Sequence, residues 1–297
     1  MGEEDGTDWL TVSRRAAFGS HRLIGWIYWE PRAVVAYEAA GIPGGGAGYY
    51  LVSRGAPLGD AGNQAVTAAF YSITAEGIAL MFDLAREHTT MEAVTDLRND
   101  AVRSGLRTYV PEICERLAAL REPLWAVADA LSPSGLVLFA AHREWPRPDD
   151  PLVSAWLAVN CIREWRGDTH FAIQTAEGLS GPAAGILDGA WREYEDEWLP
   201  RSRGADDTAI EAAMEELEEH GFVTDGRVNE AGIDYRQSLE DRLDALTATP
   251  WQLLGRERTA ELQALLDEAG PTLLARIDET AGPNWMPAAR EHGRSDL

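Results

Sequence analysis

The sequence predicts an all-α, mainly helical protein with a small β-hairpin: a helical N-terminal domain followed by a C-terminal helix–hairpin–helix unit. Three observations predict it. Apolar residues recur at helical spacing between Pro and Gly punctuation along nearly the whole chain, and alternating strand patterns are almost missing. The strongest hairpin signal is Asp225-Gly226, set between two short extended pieces and flanked by helical segments. The length of 297 residues favours two domains at roughly 100–200 residues each.

Taken in order, residues 1–20 open MGEEDGTDWL and are expected to be a flexible N-terminus, too acidic and polar for a signal peptide. Ser20 is a candidate cap for a helix through Trp29, and Pro31 starts another that ends before Gly41. GIPGGGAG, from Gly41 to Gly48, reads as a flexible, ligand-approachable loop. It is not a dinucleotide fingerprint, because no third glycine has the right spacing and no strand precedes it. Further helices are expected at 62–88, 91–105, 108–130 and 136–143. Asp150 and Pro151 are the cap and first residue of a long helix over 150–176, and 182–198 continues helically. Leu199 to Asp206 is the best linker, dividing a ligand-binding domain (21–200) from a second domain with C-terminal helices (201–280). There, 207–220 and 230–246 are helices flanking the hairpin, the signature of a winged helix-turn-helix. Two more helices are expected after Gly255 and Pro271, and 281–297 is expected to be a mobile tail.

Composition narrows function. The formal charge is −23, the wrong sign for a protein whose main partner is a polyanion. All 26 basic residues are arginines, which removes Schiff-base chemistry, lysine-anchored pyridoxal phosphate, the P-loop and the protein-kinase lysine. Cys114 and Cys161 form no C-x-x-C, so no cysteine framework for zinc or iron–sulfur exists. GLSGP, from Gly178 to Pro182, fails the last position of a nucleophile elbow. No apolar run reaches about 18 residues, and a cytoplasmic protein without a membrane partner is expected.

LEEHGFVTDGRVNEAGIDYRQSLEDRLDAL, from Leu217 to Leu246, resembles the wing and following helix of MarR-type regulators. With RGAPLG (Arg54 to Gly59), WPRPDDP (Trp145 to Pro151) and REWRGDTH (Arg163 to His170), the chain from 22 to 275 resembles an actinobacterial family labelled helix-turn-helix or MarR-like. That resemblance implies a winged helix and, by its label, a ligand-responsive regulator. The helix expected in the DNA groove, however, carries Asp206, Asp207, Glu211, Glu215, Glu216, Glu218 and Glu219 without one basic residue, and the wing offers only Arg227. Strong nucleic acid binding is therefore not expected.

The most informative element is the helix over 150–176. At 100° per residue, Leu152, Trp156, Val159, Arg163 and His170 share one stripe, so an arginine and a histidine stand where core is expected. Asn160, Glu164 and Asp168 form the neighbouring i, i+4 row. A polar cavity floor follows, with His170 as general acid or base, Asp168 or Glu164 orienting it and Arg163 holding an anionic or enolic group. The alternative is a satisfied interior ion-pair network. Glu164, Asp168 and His170 have metal-ligand types but lack H-E-x-x-H spacing, so no metal and no cofactor is expected. Arg54 is a second candidate, for a pocket or for bracing the turn at Pro57. Eleven tryptophans against six phenylalanines and eight tyrosines suggest an aromatic pocket drawn from Trp26, Trp29, Tyr49, Tyr50, Tyr71, Trp156 and Trp165.

The expected function is a cofactor-independent acid–base enzyme, of cyclase, isomerase or hydrolase type, acting on a hydrophobic or aromatic small molecule in specialised metabolism. The expected catalytic residues are His170, Asp168 and Arg163, with Arg54, Tyr71, Trp156, Asn160, Glu164 and Trp29 binding ligand. The alternative is a ligand-responsive regulator or sequestering protein, with the winged helix used for a homodimer or weak DNA contact.

Overall fold

The structure, a computed structural model, describes residues 6–44, 46, 48–195 and 197–290. Among the described residues it is all-α with one two-stranded hairpin. The chain opens with α1 (Trp9–Gly25), a 3₁₀ turn at Trp26–Trp29, α2 (Pro31–Ala39), α3 (Tyr49–Gly55) and a second 3₁₀ turn at Ala56–Ala61. Then come α4 (Asn63–Phe70), α5 (Ala75–His88), α6 (Met91–Tyr109), α7 (Pro111–Ala119), α8 (Arg121–Ala130), α9 (Val137–Glu144) and α10 (Pro151–Ala176). The remainder is α11 (Gly181–Trp191), α12 (Trp198–Arg201), α13 (Asp207–Glu219), β1 (Val223–Thr224), β2 (Arg227–Val228), α14 (Glu230–Leu246), α15 (Thr249–Leu254), α16 (Arg256–Thr280) and a third 3₁₀ turn at Pro287–Ala289.

Helix α10 is the axis of the fold. Asp150 accepts the Leu152 and Val153 N–H groups and Pro151 occupies the first position, the expected start. Every residue from Leu152 to Glu164 is buried, because α6, α7, α8 and α9 wrap its N-terminal half. Asp225 and Gly226 both have positive φ, and Val223 pairs with Val228, so the turn dipeptide forms the expected hairpin.

Two apolar cores interleave along the chain. The first gathers α1 to α10 with α15 and α16, through Trp251, Leu254, Leu262, Leu266, Leu273 and Ile277. The second is built by the C-terminal end of α10 (Ile173), α11, α13, the hairpin and α14, the winged-helix unit. The last helices therefore return to the helical body, and the winged-helix unit is held between two strands of connection.

Several local expectations are corrected. Helix α1 starts at Trp9 on the side-chain cap of Asp8, so most of the expected flexible N-terminus is helix, and Ser20 lies inside it, donating to the Ala17 carbonyl. Segment 62–88 breaks at Tyr71, which has φ 49°. The Tyr71 carbonyl there approaches Gly181 so closely that a Cβ at 181 would lie 2.9 Å from it. Segment 108–130 splits at Leu120, and 182–198 ends as a helix at Trp191. Pro271 lies inside a continuous α16 rather than opening a new helix, and α15 went unforeseen. The tail is packed as far as residue 290: Arg22 donates to the Ala289 carbonyl, Arg192 to that of Pro287, and Arg290 pairs with Asp278. Gly45 and Ala47 of the glycine loop, and residues 291–297, lie outside the described residues. Among the described residues no helix is long and apolar enough to cross a membrane.

Candidate functional site

A cavity of about 240 Å³ lies where the two cores meet, walled by α1, α3, α10, α11, α14 and the turn at Met286 to Ala288. Among the described residues its wall holds seven arginines, Arg14, Arg54, Arg163, Arg166, Arg192, Arg203 and Arg236, against three carboxylates, Asp188, Glu240 and Asp244. In a chain of net charge −23 this is a local inversion of sign.

On the α10 side, Glu164 sits fully buried beneath the wall. Arg54 grips it with two bonds, Nε to Oε1 at 2.9 Å and Nη2 to Oε2 at 2.7 Å, and Arg163 Nη2 adds a third at 2.6 Å. Burial alone would raise the Glu164 pKa, but the Arg163 and Arg54 charges outweigh it and hold the carboxyl well below its ordinary range. The outer edges of this triad are finished by phenols: Arg163 donates to Tyr28 at 3.0 Å and Arg54 to Tyr50 at 3.3 Å. Arg163, 6% exposed, still has a buried Nε without a partner among the described residues.

On the winged-helix side, α14 carries Arg236, Glu240 and Asp244 one turn apart. Arg236 donates to Asp188 of α11 at 2.8 Å and to Glu240 at 2.8 Å. Arg166 of α10 reaches Glu240 at 2.7 Å and Asp244 at 2.8 Å, and Arg14 of α1 reaches Asp244 at 2.7 Å. This network fastens the winged-helix unit to the helical body around the cavity. Arg236, 1% exposed, leaves a buried Nη1 unpartnered. The Arg203 side chain has no hydrogen bond or ion pair among the described residues, and burial lowers its pKa, with the Asp188 charge opposing. Such guanidinium groups are costly to bury without acceptors.

His170 and His21 face the same cavity. Burial, reinforced by the Arg236 charge, lowers the His170 pKa to about 4, and burial with Arg163 lowers that of His21 to about 3. Both rings are therefore neutral at pH 7. His170 Nε2 lies 2.9 Å from the Gln174 amide nitrogen, and His21 Nδ1 lies 2.7 Å from the Ala17 carbonyl.

The structure brings Arg54, Arg163, Glu164 and His170 together at or directly beneath this wall. It does not bring Asp168, which faces the opposite side and accepts the Phe139 N–H at the start of α9. Burial pushes the Asp168 carboxyl up to about 7, and the group beside the imidazole is Gln174 instead. Asn160 lies behind, against His142 at 3.5 Å. Trp156 is core: its Nε1 donates to the Leu23 carbonyl and its ring stacks over Arg98. Tyr71 is not in the cavity wall: it donates to the Leu179 carbonyl and stacks on Phe171, which is. Trp29 lines a neighbouring cavity.

Sequence reasoning missed Arg166, Arg203, Arg236, Asp188 and Glu240. The i, i+4, i+8 row Arg236, Glu240, Asp244 was the available signal, but such a row reads equally as a solvated helix face. Among the described residues no cluster of His, Cys, Asp or Glu is arranged to hold a metal ion.

A family profile described as "Helix-turn-helix family" matches residues 13–279. No curated protein and no solved structure gives a significant match.

Proposed function

The chain belongs to a helix-turn-helix family, and from that premise we propose that it is a small-molecule-binding member whose ligand is an organic anion held between the helical body and the winged-helix unit, not a reader of duplex DNA. The observation that carries this reading is the excess of arginine over carboxylate in the cavity wall, with Arg163 and Arg236 nitrogens buried and unpartnered and Arg203 without an acceptor. An anionic group gives the Arg203 side chain an acceptor and cancels the local charge.

DNA is the weaker partner because Asp206, Asp207, Glu211, Glu215, Glu218 and Glu219 are exposed along α13, and Arg227 is the lone cation of the hairpin. Seven or so phosphate contacts of ordinary affinity have no counterpart there. The MarR-like label of the segment Leu217 to Leu246 keeps one second reading in view, a ligand-responsive regulator that acts through another protein or as a homodimer. An acid–base enzyme is supported by a different observation: His170 is neutral and faces the cavity that would hold substrate.

The test is a thermal-shift titration with acetate and inorganic phosphate at fixed ionic strength, on the parent protein and on Arg203→Gln. The Arg203 side chain makes no described hydrogen bond or ion pair, and its backbone bonds to Thr74 and Pro200 survive the substitution, so the variant is expected to fold. A saturable rise in Tm that the variant weakens at least several-fold is expected. No stabilisation by either anion up to tens of millimolar sinks the reading.

A further inference from the structure

A second cavity, of about 280 Å³, adjoins the first. Tyr50, Arg203, Met286 and Pro287 belong to both walls. Its character is the opposite: among the described residues Arg203, at the shared edge, is the one charged residue lining it, and the rest of the wall is led by Trp29, Trp198 and Trp285. The rings form a row. Tyr50 stacks on Trp29 at 5.6 Å and 13°, Trp29 meets Trp285 at 5.4 Å, and Trp285 meets Trp198 edge-on at 5.3 Å. At its inner end the row reaches the arginine cluster, where the Tyr50 hydroxyl accepts from Arg54.

We propose that the two cavities are one bipartite site, and that its ligand is an amphipathic organic anion with a charged head among the arginines and a planar apolar body against the tryptophans. This deepens, and rests on, the anion-binding reading above. Three half-buried indoles, packed on one another, still turn apolar surface to unfilled space, which an apolar ligand covers. Neither volume alone reaches the roughly 300–1,000 Å³ of usual small-molecule sites, whereas the two joined do. Arg203 stands between them without an acceptor, placed to meet the head while its stem borders the body.

Three probes separate the parts: 2-naphthoate carries head and body, acetate the head alone, and 2-naphthylmethanol the body alone. Calorimetry on the full chain, with weak ligands measured by displacement of naphthoate, is expected to give one naphthoate per chain, bound at least 100-fold more tightly than acetate or the alcohol. Trp285→Ala lowers naphthoate affinity at least tenfold and leaves acetate unchanged. Gly77→Leu is a second variant that fills the aromatic cavity from α5, where a Cβ meets only the Thr74 hydroxyl at 3.1 Å; it does the same without removing a core ring. Naphthoate bound no more tightly than acetate, or unaffected by both substitutions, overturns the bipartite site while leaving the anion site standing. The alcohol binding as tightly as naphthoate removes the anionic head and overturns both. Failure of every anion to bind does likewise.

Discussion

Glu164 and His170 sit on one helix and answer opposite questions. Glu164 is fully buried between Arg54 and Arg163, so Glu164→Gln strands two guanidinium groups, and a loss of roughly 3–5 kcal/mol is expected in denaturant unfolding. His170 makes one described side-chain hydrogen bond, to Gln174. His170→Ala is therefore expected to melt within a few degrees of the parent, and any loss then appears in function: roughly 10²–10⁴ in turnover if it moves a proton. Unchanged melting together with unchanged turnover and unchanged 2-naphthoate affinity removes His170 from the site. Asp168 gives a pH signature. Its folded pKa is raised from 3.8 to about 7 by burial, so its stabilising contribution is complete below about pH 4 and is lost as pH rises through 7. Asp168→Asn keeps an acceptor for Phe139 without the charge. Its Tm relative to the parent is expected to be near zero at pH 4 and at least ~2 °C higher at pH 8. A difference that does not grow with pH contradicts the raised carboxyl.

At the scale of elements, helix contacts override propensity. Gly105 in the middle of α6 is a poor helix former, yet a Cβ there would lie 2.3 Å from the Trp26 ring. Gly105→Ala gains roughly 0.5–1 kcal/mol of propensity and is expected to lose more than that in overpacking, so its Tm falls. A rise shows that Trp26 moves freely. For α13, the exposed carboxylates predict no specific binding to duplexes from the protein's own promoter region near physiological salt. A nanomolar complex in fluorescence anisotropy that weakens steeply with added salt contradicts this.

For the whole molecule, the segment after α16 is the strap that completes both cavities. Arg22 of α1 and Arg192, just beyond α11, hold its carbonyls, and Trp285 and Met286 line the space beneath. Ending the chain after Gly282 is expected to lower Tm by several degrees and weaken 2-naphthoate at least tenfold. Equal affinity in the shortened chain means that the strap is no part of the site. The ion pairs of Arg166 and Arg14 with Asp244 join the winged-helix unit to the body, so binding between them is expected to protect amides in both α10 and α14 from exchange.

What the sequence determined by itself was periodic or local. Asp150-Pro151 opened α10, Asp225-Gly226 placed the hairpin, and the helix–hairpin–helix order read as a winged helix, because caps and turns depend on neighbours a few residues away. The shared stripe of Arg163 and His170 was legible for the same reason, since helical geometry fixes which side chains share a face. Only the tertiary structure decided the rest. It turned Asp168 toward α9 and Trp156 into the core, returned α15 and α16 to the first core, and set Arg203, Arg236 and Arg54 in the wall of one cavity. These outcomes depend on which surfaces meet across long sequence separations, and one-dimensional spacing carries no record of them.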